Sequence, residues 1–167
     1  MAVQSPIPVE KYLRTNYRPD RDYVDGEAVR RNLGEIEHSN AQREIMLYLC
    51  GKYPHLRRGI LPEQRVQVNA KRFRIPDLCV LREDAPREKI IRTPPVLCIE
   101  ILSPEDRMPR VLAKVADFLQ LGLPFVWVID PRTRRTLAYT ADGVTDIKGG
   151  VLSTKDPDIE VPLLELD

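Results

Sequence analysis

Pro95-Val96-Leu97-Cys98-Ile99-Glu100-Ile101-Leu102, followed after a turn and a helix by Phe125-Val126-Trp127-Val128-Ile129-Asp130, is the stretch that decides how this chain folds. Both segments are short, almost continuously apolar and rich in β-branched residues, the pattern of strands buried on both faces of a sheet. Between them, Ser103-Pro104-Glu105-Asp106 forms a turn. A helix then starts near Pro109, a good first-turn residue, and stops at Gly122 with Pro124 just beyond. Its apolar stripe is Val111, Leu112, Val115, Phe118 and Leu119. Strand, helix and strand in this order predict a right-handed crossover between two parallel strands.

Working outward, Tyr23 to Val29 centres on Asp25-Gly26, a strong hairpin signal. Ala41, Ile45, Tyr48 and Leu49 recur at helical spacing, with Glu37 and His38 in the first turn of that helix and Pro54 past its end. Arg65-Val66-Gln67-Val68 alternates like a strand with one wet face, and residues 73–81 read as a second apolar strand beside 95–102. Residues 82–89 are charged and broken by Pro86, hence a surface loop. Thr136-Leu137-Ala138-Tyr139 and a hairpin containing Gly149-Gly150 are expected to complete the sheet. The fold class is therefore α/β, a mixed β-sheet flanked by helices. Residues 1–22 are expected to form an N-terminal arm or short helix and 23–167 a single domain.

With 43% hydrophobic and 31% charged residues, the composition is that of a soluble globular protein and excludes a disordered chain. No apolar run approaches the roughly 18 residues of a membrane span, and the first residues lack a basic-then-apolar signal region, so the cytoplasm is the expected compartment. Cys50, Cys79 and Cys98 are odd in number, sit in apolar surroundings and form no CxxC pair, which argues for reduced core residues over zinc or a disulfide framework. A net charge of +1 neither requires nor excludes nucleic acid, since a local patch suffices to hold phosphates. Basic residues cluster at Arg57-Arg58, at Lys71, Arg72 and Arg74, and at Arg132, Arg134 and Arg135; solvated strand ends explain such clusters equally well.

Chemistry concentrates in two carboxylates, Asp77 and Glu100, each embedded in an apolar run. A charge there is costly unless paired or bound to a cation. On neighbouring strands the two could hold Mg²⁺ or Mn²⁺, ions that favour oxygen ligands and polarise phosphoryl groups. The same residues also fit a turn cap at Asp77 and an ion pair at Glu100. Glu37 could add a third oxygen ligand and His38 a proton carrier or phosphate contact, although a first-turn acid is favoured by the helix dipole in any protein. Lys114 flanks the apolar stripe of the second helix and can lay its stem on the core while its ammonium reaches a sheet end, or simply pair with Asp117.

Gly26-Glu27 after a hairpin, Ile36-Glu37-His38-Ser39 opening a helix, Pro76-Asp77, Glu100-Ile101-Leu102-Ser103-Pro104, Lys114, and Gly122 through Pro131 together resemble the Uma-two family of bacterial endonucleases. That family lies in the PD-(D/E)XK restriction-endonuclease-like superfamily, and the similarity runs from about Tyr23 to Tyr139. The resemblance implies a restriction-endonuclease-like core and a Mg²⁺- or Mn²⁺-dependent site hydrolysing phosphodiester bonds of DNA. By that resemblance Asp77 and Glu100 are the motif acids and metal ligands, and Glu37 is the first-helix acid. The motif lysine is expected two residues after Glu100, where this chain has Leu102, and Lys114 from the next helix takes its place. Arg72, Arg74 and the basic residues of 132–135 are then candidates for guiding the DNA backbone. Cutting both strands would suit a homodimer. The alternative is a catalytically inactive nucleic-acid-binding or protein-interaction module on the same fold.

Overall fold

The structure, a computed structural model, describes residues 5–32 and 34–166. Helix α1 (Val9–Arg14) leads into the hairpin β1 (Arg21–Val24) and β2 (Glu27–Arg30), then helix α2 (Ile36–Lys52). Strands β3 (Ile60–Pro62), β4 (Val66–Asn69), β5 (Arg72–Arg74), β6 (Leu78–Val80) and β7 (Leu97–Ile101) follow. After helix α3 (Met108–Leu121) come β8 (Phe125–Ile129), β9 (Thr136–Thr140), β10 (Gly143–Asp146), β11 (Val151–Thr154) and β12 (Ile159–Pro162). Six strands form the main sheet in the order β10-β9-β8-β7-β6-β3, four form a second sheet in the order β2-β1-β5-β4, and β11 pairs with β12 alone. Only β7 and β8 run parallel in the main sheet, so it is mixed as expected.

Strand alternation sorts the core into two layers. Leu97, Ile99, Trp127 and Ile129 point to one face, where Ile45 and Leu49 of α2 cover them together with Leu78 and Val80. Cys98, Val126, Val128 and Cys79 point to the other, where Val111, Val115 and Phe118 of α3 pack. Fully burying each such side chain contributes roughly 1.5–3 kcal/mol, which holds both helices against the sheet. Helix α3 starts with proline in its first turn and ends at Gly122, whose φ of 103° closes it in a left-handed cap that a side chain would strain. Leu112, expected on the apolar stripe, is instead 44% exposed, because residues 111, 115 and 118 already fill the sheet-facing arc.

The run 73–81, expected as one strand, is two. Ile75-Pro76-Asp77 interrupts it, leaving β5 in the four-stranded sheet and β6 in the main one. Proline has no N–H for the ladder, so pairing stops there despite the unbroken apolarity. The break places Asp77 at the seam between the two sheets. Gly149-Gly150 is also not the turn of a sheet-completing hairpin. The β9–β10 hairpin turns at Ala141 and Asp142, and the glycines precede β11, whose partner is β12. At the other end of the chain, the Tyr12 ring stacks 4.8 Å from that of Tyr23 and lies tilted 5.6 Å from that of Phe73, fastening α1 to the four-stranded sheet.

Candidate active site

The register of β6 and β7 pairs Leu78 with Ile99 and Cys79 with Cys98. Continued by one residue, it sets Asp77 opposite Glu100, where the apolar ladder opens onto a cleft. Asp77 is 5% and Glu100 8% exposed, so neither carboxylate is solvated as a surface acid would be. Asp77 Oδ2 accepts a hydrogen bond from the Ile101 amide at 2.7 Å, and His38 Nε2 lies 3.3 Å from the same oxygen. Asp77 Oδ1 accepts from Arg31 Nη2 at 3.0 Å. Its backbone carbonyl accepts from Gln42 Nε2 of α2 at 2.8 Å, pinning the residue from behind. Burial opposes ionisation of Asp77, but His38 and the charges of Lys114 and Arg31 outweigh it and hold the carboxyl below its ordinary value.

Glu100 lies in a different environment a few atoms away. Burial, aided by the negative charge of Asp77, pushes its pKa up from 4.5 to about 8, although Lys114 pulls the other way. Lys114 occupies position i+3 from Val111 and shares the sheet-facing side of α3 with Val115 and Phe118. Its ammonium donates to Glu100 Oε2 at 2.8 Å and to the Ile75 carbonyl at 2.6 Å. Burial would lower the Lys114 pKa, yet the negative charges of Glu100, Asp22 and Asp77 raise it, so it stays a cation. Two of its three N–H donors are thus accounted for.

A buried network anchors that lysine. Asp117, one turn further along α3, accepts from Arg74 Nε at 2.6 Å and Arg72 Nη1 at 2.8 Å, both from β5. Arg74 also reaches Asp22 of β1 at 3.3 Å, and Asp22 accepts the Ile75 amide at 3.0 Å. The helix bearing Lys114 is therefore clamped to the sheet from which the 75–77 break departs. Across the cleft mouth, Asn32 Nδ2 donates to Asp106 Oδ1 at 2.7 Å.

Of the residues marked out by sequence, Asp77, Glu100, Lys114 and His38 line one cleft, together with Arg31. Glu37 does not join them. It is exposed and lines a separate groove with Ala41, Glu44 and Ile129, because consecutive helical residues point about 100° apart and His38 takes the inward direction. Asp117 is not a partner of Lys114. Arg74 and Arg72 are committed to Asp117, Asp22 and Asp25, which removes Arg74 in particular from any backbone-guiding role. Arg31, Gln42 and Asp22 carried no sequence signal beyond the pair Arg30-Arg31 after a hairpin.

A divalent cation fits this donor set in one respect. Among the described residues, the buried Glu100 Oε1 has no hydrogen-bond partner, an orphaned carboxyl oxygen that an ion would satisfy. Among the described residues no three His, Cys, Asp or Glu side chains are placed to hold one ion together, so an ion would rest on the two acids and complete its shell with water and phosphate oxygens.

The family model described as "Putative restriction endonuclease" (Uma2) matches residues 9–160. The chain belongs to that family. A crystal structure described as a putative nuclease belonging to DUF820, from Anabaena variabilis ATCC 29413, superposes with a TM-score of 0.79 over 95% of this chain and 97% of that one, at 22% identity. The Uma2 chain thus has the restriction-endonuclease-like fold expected of it. No curated protein matches it.

Proposed function

We propose that this Uma2 protein is a metal-dependent DNA endonuclease that hydrolyses phosphodiester bonds at the Asp77–Glu100 cleft. The observation that carries the reading is the reach of Lys114. Although Leu102 stands where a strand lysine would be expected, the Lys114 ammonium sits 2.8 Å from Glu100 Oε2. A carboxyl pair with an ammonium at hand supports the reading. Asp77 and Glu100 would hold Mg²⁺ or Mn²⁺, which supplies Lewis acidity toward the phosphodiester. Lys114 uses two donors on Glu100 and Ile75; its third is free to orient the attacking water or to meet charge developing on phosphate. His38 acts by holding Asp77 ionised and in place: its Nε2 faces that carboxylate, while its Nδ1 is buried without a partner.

A non-catalytic nucleic-acid-binding module gains one supporting observation, since Arg31 and Lys114 already occupy an oxygen of each of the two acids. Supercoiled plasmid incubated with Mg²⁺ or Mn²⁺ separates the readings. Nicking by the wild type that disappears in Asp77→Ala, Glu100→Ala and Lys114→Met is the expected result. Nicking that persists in both carboxylate variants sinks the site assignment, and salt-sensitive DNA binding with no nicking supports the module.

A further inference from the structure

Arg31 is the side chain in the cleft for which neither the sequence nor the reaction chemistry gives a reason. It follows β2, an edge strand of the other sheet, yet its side chain is only 16% exposed and its Nη2 sits 3.0 Å from Asp77 Oδ1. The other Asp77 oxygen is taken by the Ile101 amide and faced by His38. Oδ1 is therefore the oxygen through which Asp77 can reach an ion, and Arg31 is bound to it. Two cations do not share one carboxylate oxygen at little cost, because a divalent ion placed beside a fixed guanidinium meets strong repulsion at low dielectric.

A second acceptor for the guanidinium stands beside the first. Arg31 Nη1 lies 3.8 Å from Glu63 Oε1, and Glu63 is an exposed acid whose own amide is bonded to the Asp77 carbonyl. Arg31 can thus leave Asp77 without leaving the site. Once free, its planar fork presents paired N–H donors suited to two oxygens of a phosphodiester, a geometry that lysine cannot offer.

We propose that Arg31 is an exchangeable counter-ion: it occupies Asp77 in the metal-free protein, yields Oδ1 to the divalent cation, and then binds a phosphate of the nucleic-acid substrate. This rests on the metal-dependent reading above and adds to it a substrate-positioning residue that couples ion binding to DNA binding. It makes an unusual demand on substitution. Removing the guanidinium should improve one affinity and harm another, whereas a purely structural brace for Asp77 would harm both.

The test compares wild type with Arg31→Met, titrating Mn²⁺ alone by calorimetry and following a short DNA duplex by fluorescence anisotropy in Ca²⁺. Losing one charge-assisted hydrogen bond that competes with the ion should tighten Mn²⁺ binding about tenfold, and losing one phosphate contact should weaken the duplex by a similar factor. Arg31→Gln, which keeps a donor to Asp77 without the charge, replaces the methionine variant should that one lack a cooperative melt. Mn²⁺ binding that is unchanged or weaker in the folded variant overturns the exchange, with the metal reading intact. Absence of Mn²⁺ binding from both proteins overturns the metal reading and the exchange together.

Discussion

Replacing Glu100 by glutamine should make the protein more stable at alkaline pH and leave it nearly unchanged in acid. Burial raises the Glu100 pKa from 4.5 to about 8, so the folded protein holds a proton there that the unfolded chain releases. An acid of this kind loses stability as pH rises between its unfolded and folded values, at about 1.4 kcal/mol per pH unit. Carried from 4.5 to about 8, the loss reaches at most about 5 kcal/mol, and above that it is constant. Glutamine mimics the protonated carboxyl and cannot ionise, so Glu100→Gln lacks this slope. The groups facing Glu100 are Lys114 from α3, Asp77 from the 75–77 break, Asp22 from β1 and Arg31 beyond β2; they are common to both proteins and largely cancel in the difference. Urea unfolding followed by the fluorescence of Trp127, the single and fully buried tryptophan, measures both proteins from pH 5 to 9. The variant's advantage should be close to zero at pH 5 and grow to several kcal/mol by pH 8.5. Saturating Mn²⁺ should erase it by stabilising the ionised wild type. A difference that does not change with pH would refute the argument that Glu100 is held protonated by burial.

Asp117→Ala leaves Arg74 and Arg72 without their shared acceptor, and breaking a buried pair in this way should cost about 3–5 kcal/mol. For a chain of this size that lowers the melting temperature by roughly 6–20 °C, which calorimetry reads directly; a loss under about 1 kcal/mol would show the clamp to be dispensable. Glu37→Gln should change neither plasmid nicking nor Mn²⁺ affinity, because its side chain faces a separate groove, about 100° around α2 from His38; a tenfold loss of Mn²⁺ affinity would return Glu37 to the site.

How much of this was legible depended on whether the signal was local. The α3 crossover and its caps were, because apolar spacing, a first-turn proline and a terminal glycine are properties of one segment. Asp77 and Glu100 were legible for a related reason: a charge within an apolar run is anomalous wherever the chain goes. The break at Pro76 was signalled by the proline itself and hidden by the continuous apolarity around it, and only the partition into two sheets shows which signal prevailed. Glu37 and His38 could not both be read correctly from position, since the direction of a helical face is fixed by what the whole helix packs against. Arg31 was illegible in principle. It reaches Asp77 across 46 residues of sequence only because the four-stranded sheet abuts the end of the main one.

That abutment also explains how a lysine of α3 reaches Glu100. Leu102 lies just past β7, its amide bonded to the Ile129 carbonyl and its side chain packed in the layer that α3 covers. A lysine there would have to displace apolar packing to reach Glu100. Lys114 instead approaches from α3, on the same helix face as Val111 and Val115, with its ammonium over the seam where the Ile75 carbonyl, past the end of β5, accepts it. The proline break thus supplies two things at once: it frees Asp77 from the strand ladder and it exposes the carbonyl that fixes the ammonium. The arrangement makes the site depend on how α3 is seated on the four-stranded sheet. The Arg72–Asp117–Arg74–Asp22 network sets that seating, and its role in the cleft is to keep the Lys114 ammonium within hydrogen-bond distance of Glu100.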